Sequence, residues 1–271
     1  TQDEAGQGLV LTCQMKPTSD CVIAIPVPST ACKTGMAKFG GSVAAVRLFN
    51  DAAYELELAV AEDTPAFLPG QYVNIGVPGS GQHRSYSFSS HSGEQRMTFL
   101  IKHVPGGLMS GWLANAQPGA ALEMTGPLGS FYLRPVTRPL LLLAGGTGLA
   151  PFLAMLETLA RQGCSQPVHM LYGVTRDEDL VMVDRLEAYA QRIPGFSFAT
   201  CVAQADTAHP RQGYVTDHLE PKALHNGNVD VYLCGPPPMV DAVQKHFKAA
   251  GITPASFHYE KFSANVAAVP A

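Results

Sequence analysis

Residues 140–151 read LLLLAGGTGLAP, and the reading of that stretch decides the fold. An apolar run of strand length leads into Gly145, Gly146, Thr147 and Gly148, and a helical pattern follows. Glycines here permit a tight turn. They also let a diphosphate approach backbone N–H groups at a helix N-terminus, where the dipole favours negative charge. Pro151 fits, because the first helical turn has no internal use for its N–H. A strand–helix turn without any ligand is the plainer alternative.

A second junction supports the first. Residues 231–239, VYLCGPPPM, pass from a strand through Cys234 and Gly235 into prolines, the first of them Pro236, and then a helix. Both turns fall at the carboxyl ends of strands, where open α/β sheets bind ligands. Read blandly, Cys234 is an inert buried thiol. VHMLYGV (168–174) and FSFATCV (196–202) are further compact strands, and helical patterns run through 150–163 and 179–193. Strand alternating with helix predicts a doubly wound parallel sheet over residues 138–271.

Upstream the period changes. SVAAVRLF, YELELAV, QYVNIGV, RSYSFSS and MTFLIKHV are short strand-like runs separated by turn residues, which predicts a small antiparallel β-barrel over 41–137. One helix candidate interrupts it, GLMSGWLAN (107–115). Within RSYSFSS, Arg84 offers a planar fork suited to phosphate. Tyr86, on the same face, can stack on a flat ring, and Ser87 can hydrogen-bond at the ring edge. Ordinary barrel packing is the alternative. Gly106, Gly107 and Ser110 open the helix and make either a second phosphate cradle or a simple N-cap.

In order, Arg84-Ser85-Tyr86-Ser87, Gly106-Gly107 with Ser110, Gly145-Gly146-Thr147-Gly148 with Ala150-Pro151, and Cys234-Gly235-Pro236-Pro237 resemble the ferredoxin–NADP reductase superfamily over residues 41–262. The resemblance implies a six-stranded antiparallel FAD-binding barrel followed by an NAD-binding α/β domain. It implies Arg84 on the flavin phosphate, Tyr86 against the isoalloxazine and Ser87 near N5. Residues 106–110 would meet the FAD diphosphate, and Cys234 would lie near the nicotinamide. Residues 8–23 resemble the tail of a plant-type [2Fe–2S] ferredoxin, with Cys13 matching the fourth cluster ligand. Residues 1–26 are then expected to be the remnant of a ferredoxin domain and 27–40 a linker, with the cluster held only by a longer protein. That domain order resembles the reductases of benzoate- and toluate-type 1,2-dioxygenases. The ending YEKF (259–262) also resembles that group, which implies Phe262 over the flavin ring. Glu260 would stand near the ring's edge, unless it is an ordinary surface carboxylate.

The implied reaction is hydride transfer from NADH to FAD and single-electron release to the iron–sulfur centre. Electrons then pass to a terminal Rieske-type oxygenase that dihydroxylates an aromatic acid. In YGVTRDEDL (172–180), Asp177, Glu178 and Asp179 beside the lone Arg176 favour NADH over NADPH, with Asp177 as the ribose ligand. Capping of the following helix is the other role open to Asp177 or Asp179. The net charge of -4 argues against nucleic acid or an anionic membrane surface as partner. No apolar run reaches the roughly 18 residues of a bilayer span. With no visible export signal and no CxxC pair among its 6 cysteines, the chain is expected in a reducing cytoplasm. Two rivals stand beside this reading: an NAD(P)H-dependent flavin, ferric or flavohaemoglobin-type reductase, and a redox-sensing or nucleotide-binding module without catalysis.

Overall fold

Alternation in YELELAV puts Leu56 and Leu58 at 0% exposure, with Glu55 and Glu57 on the other face. The computed structural model describes residues 35–262, together with residues 19 and 22. The elements below lie in the unit Lys33–Ala271. Cys13, and the ferredoxin-like reading built on it, falls outside the described residues.

Six strands, β1 (Ala37–Phe49), β2 (Ala53–Val60), β3 (Tyr72–Val77), β4 (Gln82–Ser87), β5 (Arg96–Lys102) and β6 (Ala121–Leu128), form one antiparallel sheet in the order β4-β3-β6-β1-β2-β5. A bridge between Phe88 and Phe99 brings its two edges together. Phe67 stacks on Phe88 with centroids 3.7 Å apart inside that closure. The short helix α1 (Leu108–Leu113) buries Met109, Ser110 and Leu113.

Two features depart from the sequence reading. β1 begins at Ala37, inside the stretch read as linker, because residues 37–40 already pair with β6. β6, in the middle of the sheet, has no counterpart among the strands read from the sequence. Its Gly126-Pro127 pair looks like a turn, yet Gly126 is the last partner of β1, so the proline removes no ladder N–H there.

The second sheet contains β7 (Leu140–Gly145), β8 (Val168–Val174), β9 (Phe196–Val202), β10 (Asp230–Gly235) and β11 (Ser256–Lys261), all parallel, in the order β11-β10-β7-β8-β9. Every residue of β7 and β10 is buried, which is why both read as unbroken apolar runs. Helices α2 (Ala150–Gln162) and α3 (Val183–Arg192) pack on one face with Leu142, and α4 (Pro237–Ala249) packs on the other with Leu141. β11 is an edge strand with only partial burial, and its polar residues outnumber its two aromatics, so it escapes pattern reading.

The strand order reverses between β7 and β10, and such a reversal opens a crevice at the carboxyl ends. The two halves share an interior: Ala53 and Leu100 of the barrel belong to the same buried cluster as Leu142, Tyr172 and Tyr232. Arg185 of α3 also donates to Glu55 of β2 at 2.8 Å, and Arg161 of α2 pairs with Glu94. Among the described residues, no helix is long and apolar enough to cross a membrane.

Candidate functional site

The glycine turn after β7 is shaped by what it touches. A Cβ on Gly148 would strike the carbonyl oxygen of Cys234, and one on Gly145 would strike the Met239 sulfur. These two glycines let the ends of β7 and β10 approach. Gly146 differs: it adopts φ +55 and a Cβ there would meet nothing within 4 Å, so its backbone borders open space. Glycine freedom thus serves packing at 145 and 148 and ligand access at 146.

That open space is a cleft of about 480 Å³. One wall is the Gly145-Gly146-Thr147 turn with Pro236 and Met239. The opposite wall comes from the barrel, through Ala52, Ala53 and Lys102. Phe262 also lines it. Its backbone N–H donates to the Gly235 carbonyl at 2.9 Å, which ties the end of β11 to the β10 turn.

Near this wall the structure gathers three of the predicted residues. The Ser87 hydroxyl donates to Glu260 Oε2 at 3.3 Å, and Cys234 and Glu260 are register partners on β10 and β11. Burial pushes the Glu260 carboxyl up to about 7, against the opposing pull of the Ser87 hydrogen bond. Cys234 is fully buried and its thiol is raised well above its ordinary value by burial, then by the Glu260 charge. It is therefore a neutral thiol and not a nucleophile. Tyr72, the cross-strand partner of Ser87, is raised by burial and by Glu260.

The remaining barrel residues stand differently. Arg84 and Tyr86 lie on the opposite face of β4 from Ser87, as strand alternation demands. Tyr86 packs partly buried against the barrel core. The Arg84 guanidinium donates to the His83 carbonyl and to Gln82 Oε1, and Ser85 donates to Asn74 Oδ1. Gly106 has φ +73 and open space around its Cβ position, whereas a Cβ on Gly107 would press on the Val104 carbonyl. The Ser110 hydroxyl accepts from the Val104 N–H at 2.9 Å, so it braces the turn. The donor set fits a flavin nucleotide: an arginine fork with only exposed local partners, an unobstructed glycine turn, and a part-buried hydroxyl–carboxyl pair.

After β8, Asp179 borders the cleft and Asp177 does not. Asp177 is exposed and accepts from the Thr207 hydroxyl at 2.6 Å, while the Asp179 carboxylate accepts the Arg176 N–H at 3.1 Å. Sequence reasoning missed Lys102, whose signal was a cation closing the apolar run of β5, and Tyr214, an exposed aromatic beside Gly213 with no local signal at all. Among the described residues, no cluster of three His, Cys, Asp or Glu side chains is placed to hold a metal ion.

Comparisons with known proteins agree with this architecture. Residues 48–132 match the model of the oxidoreductase FAD-binding domain and residues 142–245 that of the oxidoreductase NAD-binding domain. The chain is 55% identical, over 98% of its length and 80% of the relative's, to the toluate 1,2-dioxygenase electron transfer component of Pseudomonas putida. It is 42% identical to the 2-halobenzoate 1,2-dioxygenase electron transfer component of Burkholderia cepacia, covering 97% of this chain and 79% of that one. Among solved structures, a cytochrome P450 reductase of Amycolatopsis superposes with a TM-score of 0.79 at 33% identity, covering 97% and 80% of the two chains.

Proposed function

The chain belongs to the family of FAD- and NAD-binding oxidoreductases that contains the electron transfer components of aromatic-ring 1,2-dioxygenases, and from that premise we propose that it carries electrons from NADH through FAD toward a [2Fe–2S] centre and on to a terminal oxygenase. The relatives named for toluate and 2-halobenzoate favour a Rieske-type oxygenase acting on an aromatic acid. The free thiols Cys164, Cys201 and Cys234 suit a reducing cytoplasm. The observation that carries the proposal is the cleft at the β7–β10 reversal, walled jointly by the barrel and the glycine turn.

FAD supplies the means to take two electrons as hydride and release them singly. Arg84 and the Gly106–Ser110 turn would hold its phosphates, with Tyr86, Ser87 and Phe262 at its ring system. The turn at Gly145–Gly148, with Gly235 and Pro236, would receive the dinucleotide diphosphate. Lys102 adds a cation from the barrel side. Ser87 fixes the orientation of the Glu260 carboxyl, which near neutral pH can hold or give up a proton at Oε2.

The test is spectroscopic and kinetic. Purified chain incubated with FAD should acquire a flavin absorbance band and oxidise NADH with ferricyanide as acceptor. It should reduce cytochrome c poorly, because one-electron delivery is assigned to a [2Fe–2S] centre and the described residues gather no ligand cluster for one. A colourless chain that takes up no FAD, or rapid cytochrome c reduction by the chain alone, would overturn the assignment.

A further inference from the structure

We propose that Met239 is a modification site: hydrogen peroxide converts its thioether to the sulfoxide, and the added oxygen closes the cleft to a dinucleotide. The loss of binding rests on the NADH reading of the cleft; the oxidation itself does not.

The sequence holds 9 methionines. Met97, Met109, Met124, Met155, Met170 and Met182 are each at most 5% exposed, out of reach of a solute. Met15 lies outside the described residues. Met36 is 66% exposed, but it stands ahead of β1 and does not border the cleft. Among the described methionines, Met239 alone is partly buried and lines the cleft.

Its place follows from the turn before it. Three prolines carry the chain from β10 into α4, and the Met239 N–H donates to the Pro236 carbonyl at 3.0 Å. From this first turn the unbranched side chain packs against the cluster that holds Leu141 and Leu143. A Cβ on Gly145 would collide with its sulfur, and a Cβ on Gly235 would lie 2.9 Å from it. The two glycines close one side of the sulfur. The side that borders the cleft is the one a peroxide can reach, and the oxygen it delivers must stay there. A sulfur lone pair attacks one peroxide oxygen, so the S–O bond forms as the O–O bond breaks. The departing hydroxide takes up the remaining proton and leaves as water. Sulfur gives up two electrons and the peroxide accepts them. The product replaces a soft apolar atom with a polar acceptor. That oxygen stands beside the Gly145–Gly146 turn, where its partial negative charge repels a diphosphate seeking the same backbone N–H groups.

The experiment treats the full chain with dilute hydrogen peroxide, follows each methionine by peptide mass spectrometry and titrates NAD+ calorimetrically. Met239 and Met36 should gain oxygen while the six buried methionines do not. NAD+ present at about ten times its Kd should slow the oxidation of Met239 about tenfold and leave that of Met36 unchanged. Oxidised wild type should bind NAD+ about tenfold more weakly than untreated protein, and methionine sulfoxide reductases A and B together should restore the affinity. Met239→Leu removes the sulfur, so peroxide should not alter that variant's affinity from its own untreated value. Met239 that stays reduced while Met36 is oxidised overturns the proposal. So does an oxidised Met239 with NAD+ affinity within about twofold of the untreated protein. An equal loss in Met239→Leu places the damage elsewhere and also overturns it. Untreated wild type that binds no NAD+ overturns the nucleotide reading, and the closure of the cleft with it, whichever methionines have gained oxygen.

Discussion

The two ligand-binding regions are built from different materials. At the β7–β10 crevice much of the surface is backbone: Gly148 lies against the Cys234 carbonyl, an approach no side-chain rotation can alter, and Gly145 lies close to the Gly235 backbone beneath the Met239 side chain. On the barrel the corresponding groups are side chains that already have partners. Arg84 is turned onto Gln82 and His83, and Ser85 onto Asn74. The crevice therefore has its shape before a ligand arrives, while the flavin side gains its shape by exchanging a few exposed contacts.

The sharpest way to break this contrast is Gly148→Ala. The added methyl meets backbone oxygen that cannot give way, so a loss of about 3 kcal/mol or more is expected in chemical denaturation. Gly146→Ala, at a left-handed turn with open space, should cost only about 1 kcal/mol. Equal losses at the two positions would mean that the crevice is not preformed.

Next comes Glu260→Gln, which probes the junction of the two regions. The folded carboxyl titrates at about 7 against an ordinary value of 4.5. The buried carboxylate thus opposes folding above about pH 7, and this penalty is relieved as pH falls from 7 to 4.5. Relative to the glutamine variant, wild type should gain about 3 kcal/mol across that window. Parallel stability curves for the two proteins would sink the assignment.

Arg84→Ala tests the barrel side. Loss of a charge-assisted phosphate contact of about 2 kcal/mol should weaken FAD binding roughly 30-fold by fluorescence titration. The melting temperature of the flavin-free protein should not change, because the arginine's present partners are exposed and local. A clear drop would show the barrel site to be as built-in as the crevice.

The smallest effect is expected far from both sites. Hydrogen bonds from Arg192, then Arg161, hold the Glu157 carboxyl down at about 2 despite some burial. Its contribution is complete above the ordinary 4.5 and is lost as pH falls toward 2. Its arginine partners are largely exposed, so the effect of Glu157→Gln should be about 1 kcal/mol, read as shallower acid denaturation between those values.

The same division of materials explains what the sequence disclosed. The crevice was legible because a strand buried on both faces must be apolar throughout and a close backbone approach must be glycine. Ser87 and Glu260 were each marked by their motifs, but their hydrogen bond spans 173 residues and nothing local announces it. β6 hid behind Gly126-Pro127, and β11 behind the weak pattern of an edge strand. Asp177 carried the sequence's signal for a ribose ligand; the loop turns it to Thr207, and the acid of that run that borders the cleft is Asp179. The barrel wall of the cleft, Ala52, Ala53 and Lys102, depends on how two domains pack, and no window of sequence contains that.

Because Ala53 and Leu100 sit inside the same apolar cluster as Leu142 and Tyr232, with Arg185 and Arg161 clamped across the seam, the two halves cannot swing apart without wetting their common interior. Each large side chain so exposed costs about 1.5–3 kcal/mol. The barrel wall and the glycine turn are accordingly held at a fixed spacing, so the width of the cleft between them is set by an interior that no ligand touches.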